Sequence, residues 1–205
     1  MPSEELRVVR VGPLGPFDNN AYLIVDPAGR ASMIVDAPPG GERILEAARG
    51  THVSRIIVTH SHADHWASID DLRSATNAPV YCHEADREPH SDKVDGVLAD
   101  GEEIALGGGR LRVIHTPGSI CLLTGRVLIV GDTLFPGGPG HSDRPEDLQQ
   151  EIRSIVERLL ILPDETEVYS GHGDGTTIGR AKQEYAVFAA RKHPKDLCGD
   201  ILWEA

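Results

Sequence analysis

The sequence of 205 residues predicts a mixed α/β fold in which helices cover the outer faces of β-sheets. Two observations lead to this prediction. Short β-rich runs bounded by Gly, Pro, Asn and Asp alternate with segments that have helical periodicity. The alternation also occurs twice, because each half of the chain has a strand-rich part followed by helices. A chain of this length suggests one domain, over residues 1–205, that is large enough to bury a core.

The first half is predicted to pair short strands with two helices. The apolar run Ile56–Val58 is typical of a buried strand, and it leads directly into a histidine-rich segment. The helices are expected at Gly40–Gly50 and Asp64–Ala75. The remaining strands are predicted at Leu6–Val11, Ala21–Val25, Met33–Val35 and Val80–Cys82.

The second half repeats this order of strands and helices. Its clearest helix is Pro145–Leu162, because the apolar residues there form one stripe opposite Glu and Arg. Ser142 and Asp143, just before it, are expected to cap its N terminus. A last helix is predicted at about Arg180–Arg191. The strands predicted here are Leu111–Ile114, Ile120–Leu123, Val127–Val130 and Val168–Tyr169.

The composition argues against two classes of partner. The chain has 32 Asp and Glu against 20 Lys and Arg, for a net charge of −12, and it has no basic run, so binding to nucleic acid is not expected. No apolar stretch is long enough for a membrane span, and the N terminus lacks the pattern of a signal peptide. Cys82, Cys121 and Cys198 form no CxxC pair, which favours a reducing cytoplasm.

The strongest chemical signal is the segment His60-Ser61-His62-Ala63-Asp64-His65, which follows the buried strand. The end of a strand is a rigid base, and the turn that follows can fold the polar side chains around one point. Neutral imidazoles and a carboxylate suit Zn²⁺, Fe²⁺ or Mn²⁺. The segment therefore predicts a metal site.

Further ligands are expected from residues that also follow short apolar strands. His115, Asp132 and His172 share this position. Each one alone has an equally good interpretation as a capping or solvated residue. Together with the histidine-rich segment they predict a site built along one edge of paired sheets.

The motifs HSHADH, HTPGS, GDTLF and SGHG, in this order, resemble those of the metallo-β-lactamase superfamily, and within it the glyoxalase II-like hydrolases. The resemblance covers nearly the whole chain and implies a four-layer αββα sandwich. It also implies a binuclear centre in which His60, His62 and His115 hold the first metal. Asp64, His65 and His172 would hold the second metal, and Asp132 would bridge the two.

The resemblance further implies a function for this centre. A hydroxide bridging two divalent metals, with zinc preferred over iron or manganese, would cleave a thioester or other ester-like bond of a small acyl substrate. Asp132 would hold both metals, and Asp64 would also orient the water or accept its proton. Oligomeric state cannot be read from the sequence.

The sequence departs from the family pattern in three places. The usual third motif is a tandem TPGHTPGS, whereas only His115-Thr-Pro-Gly-Ser remains here, which places His115 directly on the strand. The short segment after SGHG leaves no room for the helical domain with which glyoxalase II holds glutathione. The loop after GDTLF is rich in Gly and Pro. Four of its residues are expected either to touch substrate or to fix the start of the next helix, namely His141, Ser142, Asp143 and Arg144.

These departures keep other functions open. A bridging Asp132 is also compatible with a lactonase. The motifs are also related to those of mononuclear iron persulfide dioxygenases. If the shortened motif keeps His115 from the metal, the protein is a catalytically impaired metal-binding protein instead.

Overall fold

The computed structural model describes residues 5–204, which form two six-stranded sheets packed face to face, with helices on both outer faces. This arrangement confirms the predicted four-layer αββα sandwich. Each sheet is apolar on both faces, because one face packs on the other sheet and the other face packs under helices, so stacking the four layers buries these faces.

The first sheet has the strand order β1-β2-β3-β4-β5-β6. Strands β1 to β3 are antiparallel, and β3 to β6 are parallel. Helices α1 and α2 cover its outer face through Ile44, Ile69 and Leu72. The elements are β1 (Arg7–Leu14), β2 (Asn19–Val25), β3 (Ala31–Val35), α1 (Gly41–Ala47), β4 (His52–Ile57), α2 (Ile69–Thr76), β5 (Val80–His83) and β6 (Gly96–Leu98).

The second sheet has the order β14-β13-β10-β9-β8-β7. Only β10 and β13 are parallel in it, and α3 and α4 lie on its outer face. A two-stranded ribbon, β11 with β12, follows β10. The elements are β7 (Glu103–Leu106), β8 (Gly109–Thr116), β9 (Ser119–Thr124), β10 (Val127–Gly131), β11 (Leu134–Phe135), β12 (Gly138–Pro139), α3 (Pro145–Ser154), β13 (Glu167–Ser170), β14 (Thr176–Thr177) and α4 (Ile178–Ala189).

The helix predicted at Asp64–Ala75 is wrong in its first part. A single 3₁₀ turn, Ala63–His65, comes first, and α2 begins only at Ile69. The indole Nε1 of Trp66 donates to the carbonyl oxygen of His60 at 2.8 Å, and this contact closes the histidine-rich segment into a loop. The predicted helix Pro145–Leu162 is α-helical to Ser154 and continues as a π-helical turn, Ile155–Leu159.

The expected caps of α3 are also corrected. Arg144 is the N-cap residue and makes no side-chain capping bond. The hydroxyl of Ser142 instead donates to the Glu151 carboxylate. Within residues 5–204 no helix combines the length and the apolar character needed to cross a bilayer.

Candidate metal centre

The polar cluster lies where three strands end at one edge of the sandwich. His60, His62, Asp64 and His65 follow β4, Asp132 follows β10, and His172 follows β13. Strands β10 and β13 are parallel neighbours, so their carboxyl ends bring Asp132 and His172 together. The 3₁₀ turn then folds Asp64 and His65 towards the same point.

One group of donor atoms surrounds the Asp64 side of the cluster. His65 Nε2 lies 3.2 Å from His172 Nε2 and 3.8 Å from Asp64 Oδ2. His172 Nε2 is 3.4 Å from Asp64 Oδ2. Asp132 joins this group, since its Oδ1 is 3.6 Å from His65 Nε2 and its Oδ2 is 3.3 Å from His172 Nε2.

A second group adjoins the first through the same carboxylate. His60 Nε2 lies 3.5 Å from Asp132 Oδ2 and 3.0 Å from His62 Nδ1. His60 is buried, whereas His62 is exposed to the solvent. Asp132 thus contacts both groups, as a bridging ligand would, and His65 is also close enough to His60 and Asp132 to share a cation with them.

The donor chemistry of the cluster fits divalent metal ions. Asp132 Oδ1 is buried and has no hydrogen-bond partner among the described residues, so a buried acceptor is left for a cation. Burial alone would raise the pKa of Asp132, but hydrogen bonds from His172 and His60 hold it well below its usual range. Burial and the neighbouring His60 lower the pKa of His62, which keeps that imidazole neutral and able to bind a metal.

Neighbouring carboxylates raise the pKa of His65. Burial lowers the pKa of His65, but the negative charges of Asp36, Asp132 and Asp64 outweigh it and raise the pKa to about 9 in the metal-free protein. A metal ion at His65 Nε2 would take the place of the proton that faces Asp132 and Asp64, while Nδ1 keeps its bond to Asp36.

Three contacts outside the cluster fix the orientation of its side chains. Asp36 Oδ2 accepts from His65 Nδ1 at 3.0 Å. Asn19 Nδ2 donates to Asp64 Oδ2 at 2.7 Å, and the carbonyl oxygen of Phe17 lies 2.7 Å from His172 Nδ1. The bonds to the two histidines leave their Nε2 atoms facing the cluster, whereas Asn19 holds the Asp64 oxygen that itself faces His65 and His172. Orienting ligands in this way is the usual role of residues behind a metal site.

Asp36 and Asn19 are functional residues that the sequence analysis missed. Asn19 begins β2 and forms a bridge with His172. Asp36 follows β3 with a positive φ of 63°, an uncommon conformation for a residue other than glycine. The run of apolar residues that ends at this single aspartate was the available signal for it.

The structure does not bring His115 to the cluster. His115 lies on β8, opposite Ile120 of β9, and its ring stacks on His83 with the ring centroids 3.8 Å apart. Its backbone is held as well, since its N–H donates to Asp100 and its carbonyl oxygen accepts from Arg158. The prediction that His115 shares a site with His60 and His62 is therefore corrected.

The tight turn after β8 explains this position. Thr116 pairs with Ser119, so Pro117 and Gly118 alone form the turn between the two strands. Because β8 continues as paired strand through Thr116, the pleat sets the direction of the His115 side chain. The missing four residues of the motif would have formed a loop beyond the end of this strand.

A cleft of about 590 Å³ opens beside the cluster. It is lined by His60, His62 and Asp132 and by the turn Pro117–Gly118. The segment Gly138–Asp143 and the C-terminal residues 200–202 form its other walls. Of the loop residues considered as substrate contacts, His141, Ser142 and Asp143 line the cleft, whereas Arg144 binds Asp147.

Known proteins share both the sequence and the fold of this chain. The family model described as the metallo-beta-lactamase superfamily matches residues 14–172. An uncharacterised protein of Aquifex aeolicus is 32% identical over 198 residues, which cover 85% of this chain and 94% of that protein. A hydroxyacylglutathione hydrolase of Cereibacter sphaeroides is 34% identical over 165 residues. This match covers 76% of this chain and 62% of that protein.

Solved structures show the same relationship. The crystal structure of TTHA1623 in a di-iron-bound form superposes with a TM-score of 0.73 at 30% sequence identity. The match covers 85% of this chain and 97% of that one. The αββα sandwich is thus shared over nearly the full length of a protein that binds two iron ions.

Proposed function

The chain belongs to the metallo-beta-lactamase superfamily, and from this premise we propose that it is a metal-dependent hydrolase that cleaves a thioester or related ester-like bond of a small acyl substrate. The observation that carries the proposal is the position of Asp132. Its carboxylate contacts both groups of donor atoms and lines the cleft, with one oxygen buried and unpartnered among the described residues. Such a carboxylate is suited to join two cations at the point where a substrate enters.

We assign two roles to the residues of the centre, which are metal binding and proton transfer. Asp64, His65, His172 and Asp132 supply one set of donors, and His60 and His62 adjoin it through Asp132. The chemistry that divalent metals supply when bound is a lowered pKa for water and polarisation of a carbonyl oxygen. Asp64 is only partly buried, and Asn19 fixes one of its oxygens, so its carboxylate is placed to orient a water and to accept its proton.

Zinc is the metal that we propose first, because His and Asp are its common ligands. The same ligands also accept iron or manganese, and the di-iron-bound structure supports iron as the alternative. The three cysteines are free in the structure, which supports our proposal of a reducing cytoplasm as the compartment.

The cleft argues for a substrate other than a glutathione thioester. Glutathione carries two carboxylates, which Lys or Arg would bind. None of the described residues that line the cleft is Lys or Arg, whereas Asp143, Asp147, Glu151 and Asp200 all line it. The related hydroxyacylglutathione hydrolase supports thioester chemistry, but this chain spans only 62% of its length. We therefore propose a small acyl thioester without a polyanionic carrier.

The test is hydrolysis by the purified, metal-loaded protein. Substrates would be an uncharged S-aryl thioacetate, S-lactoylglutathione, an aryl acetate and a γ-lactone, with metal content measured by mass spectrometry. We expect the uncharged thioester to be hydrolysed fastest, and His60→Ala and Asp132→Ala to lower kcat by at least about a hundredfold. His52→Ala, an exposed histidine on β4, is the matched control and should leave the rate unchanged.

Other results would select other functions. Preference for the lactone would identify a lactonase. Oxygen uptake with a persulfide in an iron-loaded protein would identify a dioxygenase. No turnover of any of these by a protein that carries its metal would contradict the hydrolase proposal and favour an impaired metal-binding protein.

A further inference from the structure

The two halves of the candidate metal centre are unequal in the number of protein donors. In the half at Asp64, the donor atoms of Asp64, His65 and His172 lie close enough to hold one cation, and the shared carboxylate of Asp132 contacts both His65 and His172. The half at His60 has two imidazoles and the same shared carboxylate. The difference arises because His115 is held elsewhere.

No other side chain of the β8–β9 hairpin takes the place of His115. The hydroxyl of Thr116 lies 3.0 Å from that of Thr133, and the hydroxyl of Ser119 donates to the carbonyl oxygen of Thr59. Pro117 and Gly118 have no donor atom in their side chains. The hairpin therefore passes beside His60 and His62 without offering them a ligand.

The polar residues on the opposite wall of the cleft are also engaged. His141 bonds Asp200 and Asp143, and the hydroxyl of Ser142 donates to Glu151. Over residues 5–204, the groups of His, Cys, Asp and Glu close enough to hold a cation are the two that contain His65. One of these groups is His60, His65 and Asp132, and the other is Asp64, His65 and His172. Any further ligand of the His60 half is therefore one that the other half also uses.

We propose that the protein binds one divalent metal tightly, at Asp64, His65, His172 and Asp132, and a second one weakly and exchangeably, at His60, His62 and Asp132. This inference rests on the proposed role of these residues as metal ligands, and it adds to the proposed function an activity that depends on the concentration of free metal. Loss of a residue that only orients a metal ligand commonly weakens binding by about 10–100-fold, and loss of a ligand itself should cost at least as much. We expect at least about a tenfold difference in Kd between the two equivalents.

The test is metal stoichiometry, which does not depend on turnover. Metal-free protein would be titrated with Co²⁺, followed by its visible absorption and by calorimetry, and retained metal would be measured after gel filtration. We expect one retained equivalent and a second that is lost on the column. His62→Ala should abolish only the weak equivalent, whereas His172→Ala should abolish the tight one.

Two further variants test the cause of the inequality. His115→Gln should leave both affinities unchanged, because the ring lies against His83 and not in the centre. Insertion of His-Thr-Pro-Gly after Gly118 should add a ligand and make the second equivalent at least about tenfold tighter. The same insertion with Ala in place of His is the control for changes in the hairpin itself.

Two equivalents of equal, tight affinity in the unaltered protein would overturn the proposal, and so would loss of metal in His115→Gln. Circular dichroism of each variant separates these outcomes from misfolding. If the stoichiometry is as expected but no thioester is hydrolysed, the proposed substrate class is wrong and the inequality of the two halves stands.

Discussion

His65 Nδ1 and Asp36 Oδ2 are 3.0 Å apart at the edge of the sandwich that carries the cluster, and both side chains are completely buried. The other oxygen of Asp36 accepts from the backbone N–H of Thr59 at 2.8 Å, and Asp36 Oδ2 also accepts from the Thr59 hydroxyl. One carboxylate therefore fixes both the orientation of His65 and the start of the loop that carries His60. This contact ties the end of β3 to the histidine-rich segment after β4.

Replacement of Asp36 by Asn should weaken the tight metal equivalent by about 10–100-fold. Asn tolerates the positive φ at this position, so the backbone is kept while the negative charge that orients His65 is lost. Competition with a chelator measures the affinity. Asp26→Asn is the matched control, because Asp26 accepts two backbone bonds in a turn outside the centre. Unchanged affinity in Asp36→Asn would show that His65 is oriented without this carboxylate.

The contact between Asn19 and Asp64 gives a second prediction. Asn19→Ala removes the 2.7 Å bond to Asp64 Oδ2 and should lower kcat by about tenfold or more, with a smaller effect on KM. Asn20→Ala is the control, since Asn20 donates to backbone carbonyls of Ser170 and Gly173 and not to Asp64. Equal losses in the two variants would mean that the first strands support the loop but do not position Asp64.

How much of the centre the sequence predicted depends on how local each contact is. His60, His62, Asp64 and His65 lie within one short motif, so their proximity follows from the chain itself. The partners Asp36 and Asn19 are 29 and 45 residues away from the side chains that they orient, and only the folded sheets bring them there. These contacts leave no periodic signal in the sequence.

The error at His115 has a similar physical origin. A shortened motif does not say whether its histidine belongs to the strand or to the loop. Pairing of Thr116 with Ser119 decides the matter in favour of the strand. The main strands and helices, in contrast, follow from hydrophobic periodicity summed over many residues, and the four-layer arrangement was implied by the family resemblance.

The Glu151 carboxyl should make stability depend on pH. Burial raises its pKa to about 7, and the hydrogen bonds from Ser142 and Gly140 do not offset this effect. Because the folded-state pKa is above the ordinary value, the stability it contributes is complete below about pH 4.5 and is lost as the pH rises through about 7. Glu151→Gln, which has no such titration, should lose less thermal stability over this range.

The measurement is the change in Tm between pH 4.5 and 8 at a fixed metal content. For a chain of this size each kcal/mol corresponds to about 2–4 °C, so the two proteins should differ in this change by at least about 2 °C. Glu146→Gln changes an exposed carboxyl on the same helix and should follow the unaltered protein. A parallel fall in Tm for all three proteins would assign the pH dependence to other groups.

Replacement of Trp203 should change both the free energy of unfolding and the shape of the cleft. Its side chain is completely buried against Tyr185 and Phe188, and its backbone N–H donates to the carbonyl oxygen of Gly137 at 2.7 Å. Trp203→Ala should therefore lower the free energy of unfolding by about 3–5 kcal/mol, measured by urea denaturation. It should also raise KM, because the C-terminal segment and the segment after Gly137 form neighbouring walls of the cleft.

Leu202→Ala separates the two effects of Trp203. Leu202 also lines the cleft, but its side chain is 62% exposed, so its loss should change KM with little change in the free energy of unfolding. If Trp203→Ala is destabilised and its KM is unchanged at a temperature where it remains folded, the C-terminal segment stabilises the fold without shaping the cleft. A rise in KM in both variants would instead place the substrate against this segment.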